Sequence, residues 1–283
     1  MKSINEKDLN RIIEAAFRED IGGGDITSNS IVSKSQIASA YILAKEVGVI
    51  AGLEIAKRVF KKLDKNIIWK PLVKEGDLVS AGTRIVTVKG SLRALLTGER
   101  IALNFLQRVS GIASTTSKYI GVLKDTDTKI LDTRKTVPGL RLIDKYAVKI
   151  GGGTNHRIGL FDMALIKDNH IKAAGSISKA VQRVKTKNSK SNKKLKIEVE
   201  TSNLDEVREA LKCNVDMIML DNMSTSLMSE AVKLIKKKAK TEASGNMNID
   251  RILETARVGV DYISVGALTH SVKALDISMK IDS

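Results

Sequence analysis

Between residues 129 and 266 the sequence repeats one pattern, in which a short apolar run ends in a polar residue or a glycine and a segment with helical spacing follows. The end residues of these runs are Asp132, Lys167, Glu200, Asp221, Ser244 and Gly266. Successive end residues lie 35, 33, 21, 23 and 22 positions apart, which are the lengths of βα units. The repeat therefore predicts a parallel sheet whose strands end in functional groups.

Two architectures share this periodicity, the α/β barrel and the open doubly wound sheet. We favour the barrel, because every predicted strand end carries a polar group or a glycine, whereas an open sheet needs such groups only at its switch point. Lys196, Glu198 and Glu200 lie on one face of their predicted strand, since Ile197 and Val199 alternate with them. In a barrel this charged face points into the lumen, where buried charges need partners.

Residues 1–112 follow a different pattern, which predicts an α+β domain. Apolar residues at helical spacing indicate a first helix: Leu9, Ile12, Ile13, Ala16 and Phe17. The triple glycine at 22–24 is interpreted as a helix end and a turn, not as a phosphate loop, because no strand precedes it and no helix is predicted directly after it. Strand-like runs lie at 38–44, 47–51, 67–73 and 84–88. Helices are predicted at 53–63 and over the long stretch 92–123.

The chain carries a formal net charge of +16, which is compatible with a nucleic-acid-binding protein. Aromatic residues make up only 3% of the sequence, however, so the stacking platforms that bind single strands are scarce. Much of the excess lysine falls at 185–196 and on a helix face within 233–240, where we expect it to be solvated. We expect no nucleic-acid partner, and a basic nucleic-acid-binding protein is kept as the alternative from another class.

The single cysteine, Cys213, excludes an intrachain disulfide and suits a reducing cytoplasm. No Cys/His spacing typical of a metal site is present. The first 20 residues are charged and amphipathic, and no run approaches the roughly 20 apolar residues of a membrane helix. We therefore expect a cytoplasmic protein without a membrane segment.

Five basic residues fall within 39 positions, mixed with glycines and few acids: Arg134, Lys135, Arg141, Arg157 and Lys167. Arginine forks match carboxylates and phosphates bidentately, and lysine adds compact charge. The cluster predicts a site for a small and strongly anionic ligand. For Arg141 a salt bridge to Asp144 or another nearby acid is an equal alternative.

Motifs spread over the whole chain resemble the quinolinate phosphoribosyltransferase family, the carboxylating nicotinate-nucleotide pyrophosphorylases of NAD biosynthesis. They lie at 19–27, 96–104, 110–114, 132–141, 151–157, 165–170, 197–201, 220–222, 242–245 and 264–270. Each motif is weak by itself, but their order and their spread make the resemblance specific. The related group associated with molybdenum transport shares most of the motifs and is the nearest alternative.

The resemblance implies an N-terminal α+β sandwich-like domain at 1–112, an incomplete α/β (TIM-like) barrel at 113–269 and a tail at 270–283 that packs back on the first domain. It implies the transfer of phosphoribosyl from phosphoribosyl pyrophosphate to quinolinate with decarboxylation, giving nicotinate mononucleotide, CO₂ and pyrophosphate. The expected cofactor is Mg²⁺, held through phosphoribosyl pyrophosphate and waters near Glu200 and Asp221 without direct protein ligands. The expected assembly is a homodimer with shared active sites, or a larger oligomer.

The resemblance also implies the substrate-binding residues Arg100, Thr133, Arg134, Lys135, His156, Arg157, Lys167, Glu200, Asp221, Ser244, Gly245, Asn246, Ser264 and Gly266. Four of them are implied to act in catalysis: Lys135, Lys167, Glu200 and Asp221. By the same resemblance Arg134, His156 and Arg157 hold the carboxylates of quinolinate, and Arg100 reaches that site from the neighbouring subunit. The two lysines serve phosphoribosyl pyrophosphate and the acid, and the two acids face the ribose hydroxyls and the metal shell. The backbone N–H groups of Ser244, Gly245 and Gly266 cradle the 5′-phosphate.

The sequence departs from the family pattern at Asn246, where the family usually has a second glycine. Asparagine tolerates left-handed backbone better than most residues, so we expect the phosphate loop to persist. We expect structural hydrogen bonding for His170 and His270. Glu198 and Glu242 are expected to be partners of charged groups inside the barrel.

Overall fold

The computed structural model describes residues 4–190 and 194–282, which form two compact units. The first comprises the described parts of Met1–Ser117, Thr136–Gly152 and Leu268–Ser283, and the second those of Lys118–Lys135 and Gly153–Ala267. The helices are α1 (Glu6–Asp20), α2 (Ile26–Ile31), α3 (Leu53–Leu63), α4 (Leu92–Val122), α5 (Arg141–Ile150), α6 (Asp168–Ala174), α7 (Ile177–Ser189), α8 (Leu204–Lys212), α9 (Thr225–Ile235), α10 (Ile249–Arg257) and α11 (Ala267–His270). The strands are β1 (Ile37–Ala44), β2 (Gly48–Val49), β3 (Ile68–Pro71), β4 (Leu78–Val79), β5 (Arg84–Ser91), β6 (Lys129–Leu131), β7 (Ala164–Ile166), β8 (Ile197–Thr201), β9 (Met217–Asp221), β10 (Lys240–Ser244), β11 (Tyr262–Ser264) and β12 (Ile277–Ile281).

The first unit is built on a four-stranded antiparallel sheet in the order β12-β1-β5-β3, with β2 and β4 forming a separate pair. Ala40, Ile42 and Ala44 of β1 are buried, and this alternation places one face of the sheet on the core. The C-terminal strand β12 pairs with β1, from Ala44 opposite Ile277 to Ala40 opposite Ile281. The last described residues of the chain therefore complete the sheet of the first unit.

Helix α2 begins directly after the triple glycine, so the prediction that no helix follows these glycines was wrong. Asp25 is the N-cap residue, and its carboxylate accepts hydrogen bonds from the Ser28 N–H at 2.9 Å, the Ser28 hydroxyl at 2.6 Å and the Thr97 hydroxyl at 2.9 Å. The hydrogen bonds from Ser28, with that from Thr97, lower the pKa of Asp25. A helix of six residues has too short an apolar pattern to be recognised by periodicity, so only the cap indicates it.

A buried ion pair ties α5 to α4 inside the first unit. Asp144 is fully buried and accepts from Arg108 Nε at 2.9 Å and from Nη2 at 2.8 Å. Burial raises the pKa of Asp144, against the opposing effect of Arg108. Asp144 therefore pairs with Arg108, whereas Arg141 Nε donates to the Thr136 hydroxyl at 3.0 Å.

The second unit contains a six-stranded parallel sheet in the order β6-β11-β10-β9-β8-β7, with helices between successive strands. The buried side chains of these strands include Ile130, Ile166, Val199, Leu220 and Ile263. Strands β6 and β7 stand at the two ends of the order and are not paired with each other in the described part of the chain, so the sheet does not close. The predicted fold class, an α+β sheet domain with an incomplete α/β barrel, is confirmed. Across the described ranges, no helix is both long enough and apolar enough to cross a membrane.

Candidate active site

The carboxyl ends of the parallel strands carry a ring of polar residues, which we call the rim. Lys167 directly follows β7, Glu200 lies near the end of β8, and Asp221, Ser244 and Ser264 are the last residues of β9, β10 and β11. Asp221 lies opposite Ser244 in the register of their strands. Because the strands are parallel neighbours, these side chains meet at one edge of the sheet, the location of active sites in α/β barrels.

Lys167 and Glu200 form an ion pair on the rim, with 2.7 Å between Nζ and Oε2. The side chain of Lys167 is 45% exposed and that of Glu200 is 16% exposed, so the pair remains open to a ligand. His170 has a different role, because its Nδ1 accepts from the backbone N–H of Lys167 at 3.0 Å and closes the first turn of α6. Structural hydrogen bonding by His170 is confirmed.

Thr133, Arg134 and Lys135 follow β6, and the Thr133 hydroxyl accepts from the Lys135 N–H at 3.0 Å. Before them, the fully buried Asp132 accepts from the backbone N–H of His156 at 2.9 Å and also from the side-chain amide of Asn155. Asp132 therefore fixes the segment that carries His156 and Arg157. The sequence marked Asp132 as a strand end, but its role as a support came only from the structure.

Below the rim, His156, Glu198 and Glu242 form a group that we call the lumen cluster. His156 Nε2 lies 2.9 Å from Glu198 Oε2 and 3.3 Å from Glu242 Oε2, and both carboxylates are fully buried. The Ser264 hydroxyl donates to Glu242 Oε1. Glu198 lies on β8 and Glu242 on β10, with β9 between them, so their convergence on one nitrogen requires the sheet to curve around the cluster. Both glutamates therefore pair inside the barrel, as expected, and their common partner is His156.

Two observations give opposite indications for the protonation state of the His156 ring. Burial disfavours the charged ring, but hydrogen bonds to Glu198 and Glu242 and the charges of both carboxylates raise the pKa of His156 to about 9. Burial, together with the negative charge of Glu242, also raises the pKa of Glu198. Nδ1 of His156, however, accepts from the Arg157 N–H at 2.7 Å, and protonation of Nδ1 would break this contact.

Arg157 is the most buried of the basic residues predicted for the site, with 9% exposure. Its guanidinium donates to the carbonyl of Met163 at 3.2 Å. Burial and the positive charge of Arg134 lower the pKa of Arg157. The charges of Glu198 and Asp162 oppose this effect. Two arginine forks suit an anion with two carboxylates.

The loop after β10 contains two successive residues in the left-handed region. Gly245 has φ +98° and Asn246 has φ +50°, so the expectation that Asn246 tolerates a left-handed backbone is confirmed. Among the described residues, no acceptor is found for the backbone N–H groups of Gly245, Asn246 and Met247. The loop leads into α10, whose N-terminus is capped by Asn248. Successive N–H groups before a helix N-terminus suit a phosphate.

Asn222 is a site residue that the sequence analysis did not select. It has φ +53°, its backbone N–H donates to the carbonyl of Ser244 at 2.9 Å, and its Nδ2 donates to Asp221 Oδ2 at 2.7 Å. A Cβ atom on Gly245 would clash with the Asn222 side chain, so position 245 requires glycine. Asn222 thus links the Asp221 carboxylate to the phosphate loop.

Gly266 and Arg100 are the remaining residues that the sequence analysis predicted for the site. Gly266 follows β11 by two positions, next to the rim residue Ser264. Arg100 lies on α4 in the first unit and its side chain is exposed. Its contribution to a neighbouring subunit stays a prediction. The second unit alone thus combines a cationic pair, carboxylates at strand ends and a phosphate-type loop, an arrangement suited to an anionic acid and a phosphorylated sugar.

Known protein families cover nearly the whole chain. Residues 25–110 match the family described as quinolinate phosphoribosyl transferase, N-terminal domain, and residues 112–280 match the corresponding C-terminal domain. A quinolinate phosphoribosyltransferase [decarboxylating] 2b, mitochondrial, from Nicotiana tabacum is 44% identical over 98% of this chain and 83% of that protein. A probable nicotinate-nucleotide pyrophosphorylase [carboxylating] from Synechocystis is 47% identical over 93% of this chain and 89% of that protein.

Solved structures agree with the sequence comparisons. The structure of NadC from Streptococcus pyogenes is similar with a TM-score of 0.94 and 41% identity, over 99% of this chain and 98% of that chain. The nicotinate-nucleotide pyrophosphorylase from Francisella tularensis is similar with a TM-score of 0.93 and 42% identity, over the same shares of the two chains.

Proposed function

This chain belongs to the quinolinate phosphoribosyltransferase family, and from that premise we propose that it transfers phosphoribosyl from phosphoribosyl pyrophosphate to quinolinate. The proposed products are nicotinate mononucleotide, CO₂ and pyrophosphate, and the reaction belongs to NAD biosynthesis. The observation that carries the proposal is that one unit holds Arg134 directly after β6, the buried Arg157, and a loop after β10 whose backbone N–H groups suit a phosphate. The carboxylates of a dicarboxylic acid suit the two arginines, and the phosphate of a phosphorylated sugar suits the loop.

In the proposed reaction the bond between ribose C1′ and the pyrophosphate oxygen breaks, and the pyridine nitrogen bonds to C1′. The ring nitrogen becomes cationic, so the electron pair left at C2 when CO₂ departs is stabilised beside it. A lysine or a water then supplies the proton to C2. The protein's contribution is positioning and charge complementarity. Arg134 and Arg157 hold the carboxylates, while Glu200 and Asp221 place negative charge near the cationic ribose.

We propose Mg²⁺ as the cofactor, bound through phosphoribosyl pyrophosphate and waters near Glu200 and Asp221. These residues fit the ion, because Mg²⁺ prefers oxygen ligands and retains several waters. Glu200 Oε2 faces Lys167 and Asp221 Oδ2 faces Asn222, so each carboxylate has a second oxygen to offer. When bound, Mg²⁺ supplies charge neutralisation for the leaving pyrophosphate.

The decisive assay supplies quinolinate, phosphoribosyl pyrophosphate and Mg²⁺ and measures nicotinate mononucleotide and CO₂ in equal amounts. Omission of each substrate in turn gives the blank. Titration with duplex DNA at moderate salt tests the alternative suggested by the net charge of +16. DNA binding in the absence of any turnover of quinolinate would overturn the proposed function.

We also propose a cytoplasmic homodimer whose active sites are shared, with Arg100 reaching the neighbouring subunit. The free thiol of Cys213 supports this location, because a reducing compartment keeps thiols reduced. The dimer is tested by mixing Arg100→Ala chains with Lys135→Ala chains, since each homodimer lacks one cation at every site. In a mixed dimer one site has both defects and the other has neither, so activity returns to at most about half of wild type. If mass measurement detects mixed dimers and no activity returns, the sharing of sites is refuted.

A further inference from the structure

The loops that follow β9 and β10 each contain residues in the left-handed conformation. Asn222 has φ +53° after β9, and Gly245 and Asn246 have φ +98° and +50° after β10. Asparagine and glycine adopt this conformation at low cost, so the left-handed backbone does not by itself fix where the N–H groups of the two loops point. The direction of these groups depends on the contacts that the loops make.

Arg251, in the first turn of α10, contacts both loops. Its Nη1 donates to the carbonyl of Gly245 at 3.1 Å, and its Nη2 donates to the carbonyl of Met223 at 2.8 Å. The Arg251 N–H donates to Asn248 Oδ1 at 3.0 Å, which places the residue inside the capped start of the helix. One half-buried guanidinium thus spans two loops whose residues lie 22 positions apart in sequence.

The contact with Gly245 determines the direction of the next N–H group. A trans peptide is planar, and its C=O and N–H groups point in opposite directions. No cis peptide occurs among the described residues, so with the Gly245 carbonyl facing Arg251, the Asn246 N–H faces away from Arg251. This N–H is one of the loop donors for which no acceptor is found in the described part of the chain.

We propose that Arg251 is a positioning residue for the phosphate loop: by holding the Gly245 and Met223 carbonyls it turns the Asn246 N–H toward the 5′-phosphate of phosphoribosyl pyrophosphate. The inference rests on the proposed function, because that function supplies the phosphate. Arg251 itself donates to carbonyls on the side of the loop opposite to this N–H. It acts through the loop, so it is not a catalytic residue.

The test compares Arg251→Met and Arg251→Lys with a control, Arg257→Met. Methionine keeps an apolar stem without donors, and lysine keeps the charge but loses the fork that bridges two carbonyls. Arg257 is the last residue of the same helix and is exposed, so its replacement removes the same charge without a loop contact. KM for each substrate and kcat are measured, together with the increase in melting temperature that inorganic phosphate produces.

We expect Arg251→Met to raise KM for phosphoribosyl pyrophosphate about tenfold while KM for quinolinate stays within about twofold of wild type, since only the phosphate loop loses its support. Arg251→Lys should fall between wild type and Arg251→Met, and Arg257→Met should match wild type. Stabilisation by inorganic phosphate should weaken in the same order.

A wild-type KM for phosphoribosyl pyrophosphate in Arg251→Lys, or an equal rise in both KM values, would overturn the positioning role. If Arg251→Met does not fold, the lysine variant decides. Failure of the proposed function gives a different result: the wild type then turns over no quinolinate, while phosphate still stabilises it more than it stabilises the Arg251 variants.

Discussion

Glu198 and Glu200 lie two residues apart on strand β8 and face the same barrel, yet their environments differ. Glu198 is fully buried and contacts His156, whereas Glu200 lies on the rim, is 16% exposed and pairs with Lys167. Depth in the barrel thus separates two carboxylates of the same type: the lower one is part of the internal framework, and the upper one can face a ligand. We expect the lumen cluster to support the site and the rim to bind the ligand.

The largest expected effect is on the stability of the lumen cluster. Glu198→Ala should lower the free energy of unfolding by roughly 3–5 kcal/mol, because it breaks the buried pair with His156 and leaves unfilled space in the lumen. The matched change Glu200→Ala should cost less than about 1 kcal/mol, since a partly exposed pair contributes little. Urea denaturation measures both, and equal losses would contradict the division between framework and rim.

The next effect concerns substrate affinity. Arg134→Ala and Arg157→Ala should each raise KM for quinolinate by about 10–100-fold, because a hydrogen bond to a charged group contributes roughly 1.5–3 kcal/mol. KM for phosphoribosyl pyrophosphate should change far less. Replacement by lysine should restore only part of the affinity, since a point charge does not reproduce the fork. Normal quinolinate binding by either alanine variant would remove that arginine from the carboxylate site.

Rim carboxylates should affect turnover more than binding or stability. Glu200→Gln and Asp221→Asn should lower kcat about tenfold and leave KM for quinolinate within about twofold, because their charge acts on the ribose and on Mg²⁺. Asp205→Asn is the control, since its side chain on α8 is 93% exposed. Unchanged kcat at saturating Mg²⁺ would exclude both residues from the active site.

A further effect is the pH dependence that the lumen cluster adds to stability. The pKa of His156 is raised to about 9 from an ordinary value of 6.5, so the folded state binds more protons between these pH values. Its contribution is complete below about pH 6.5 and is lost as pH rises through about 9. The raised pKa of Glu198 acts in the same direction at lower pH.

Nitrogen NMR of the three histidines measures this effect directly. His156 should still carry protons on both ring nitrogens near pH 8 in the wild type and lose one of them in Glu198→Gln, where a neutral amide replaces the carboxylate. His170 and His270 serve as internal controls. A neutral His156 ring with an unprotonated Nδ1 throughout this range would mean that the contact with the Arg157 N–H outweighs the two carboxylates.

Several elements follow from local chemistry, and the sequence predicted them well. Helix α3 lies at the predicted residues 53–63, and the strand ends carry the predicted rim groups Lys167, Glu200 and Asp221. The left-handed backbone at Asn246 also agrees with the prediction. These features depend on periodicity, on strand-end chemistry and on intrinsic backbone preference, which are properties of short segments.

Other contacts could not be predicted, because they join residues that are distant in the chain. The pairing of Asp144 with Arg108 and the bridge from Arg251 to Met223 span 36 and 28 positions. Alternation along β8 identified the face that carries Glu198, but it held no information about which other strand would supply a partner. Which residue becomes the partner of such a side chain depends on the distances between side chains once the sheet has curved.

The sequence by itself determined the parallel βα unit, the positions of the rim residues and the family, since each of these is written in local patterns and motifs. Only the tertiary structure decided that β6 pairs with β11, that the returning C-terminal tail does so as a strand paired with β1, and that His156 lies between Glu198 and Glu242. The physical reason is that strand order and burial are collective: a side chain's partner and its pKa depend on which distant segments exclude water around it.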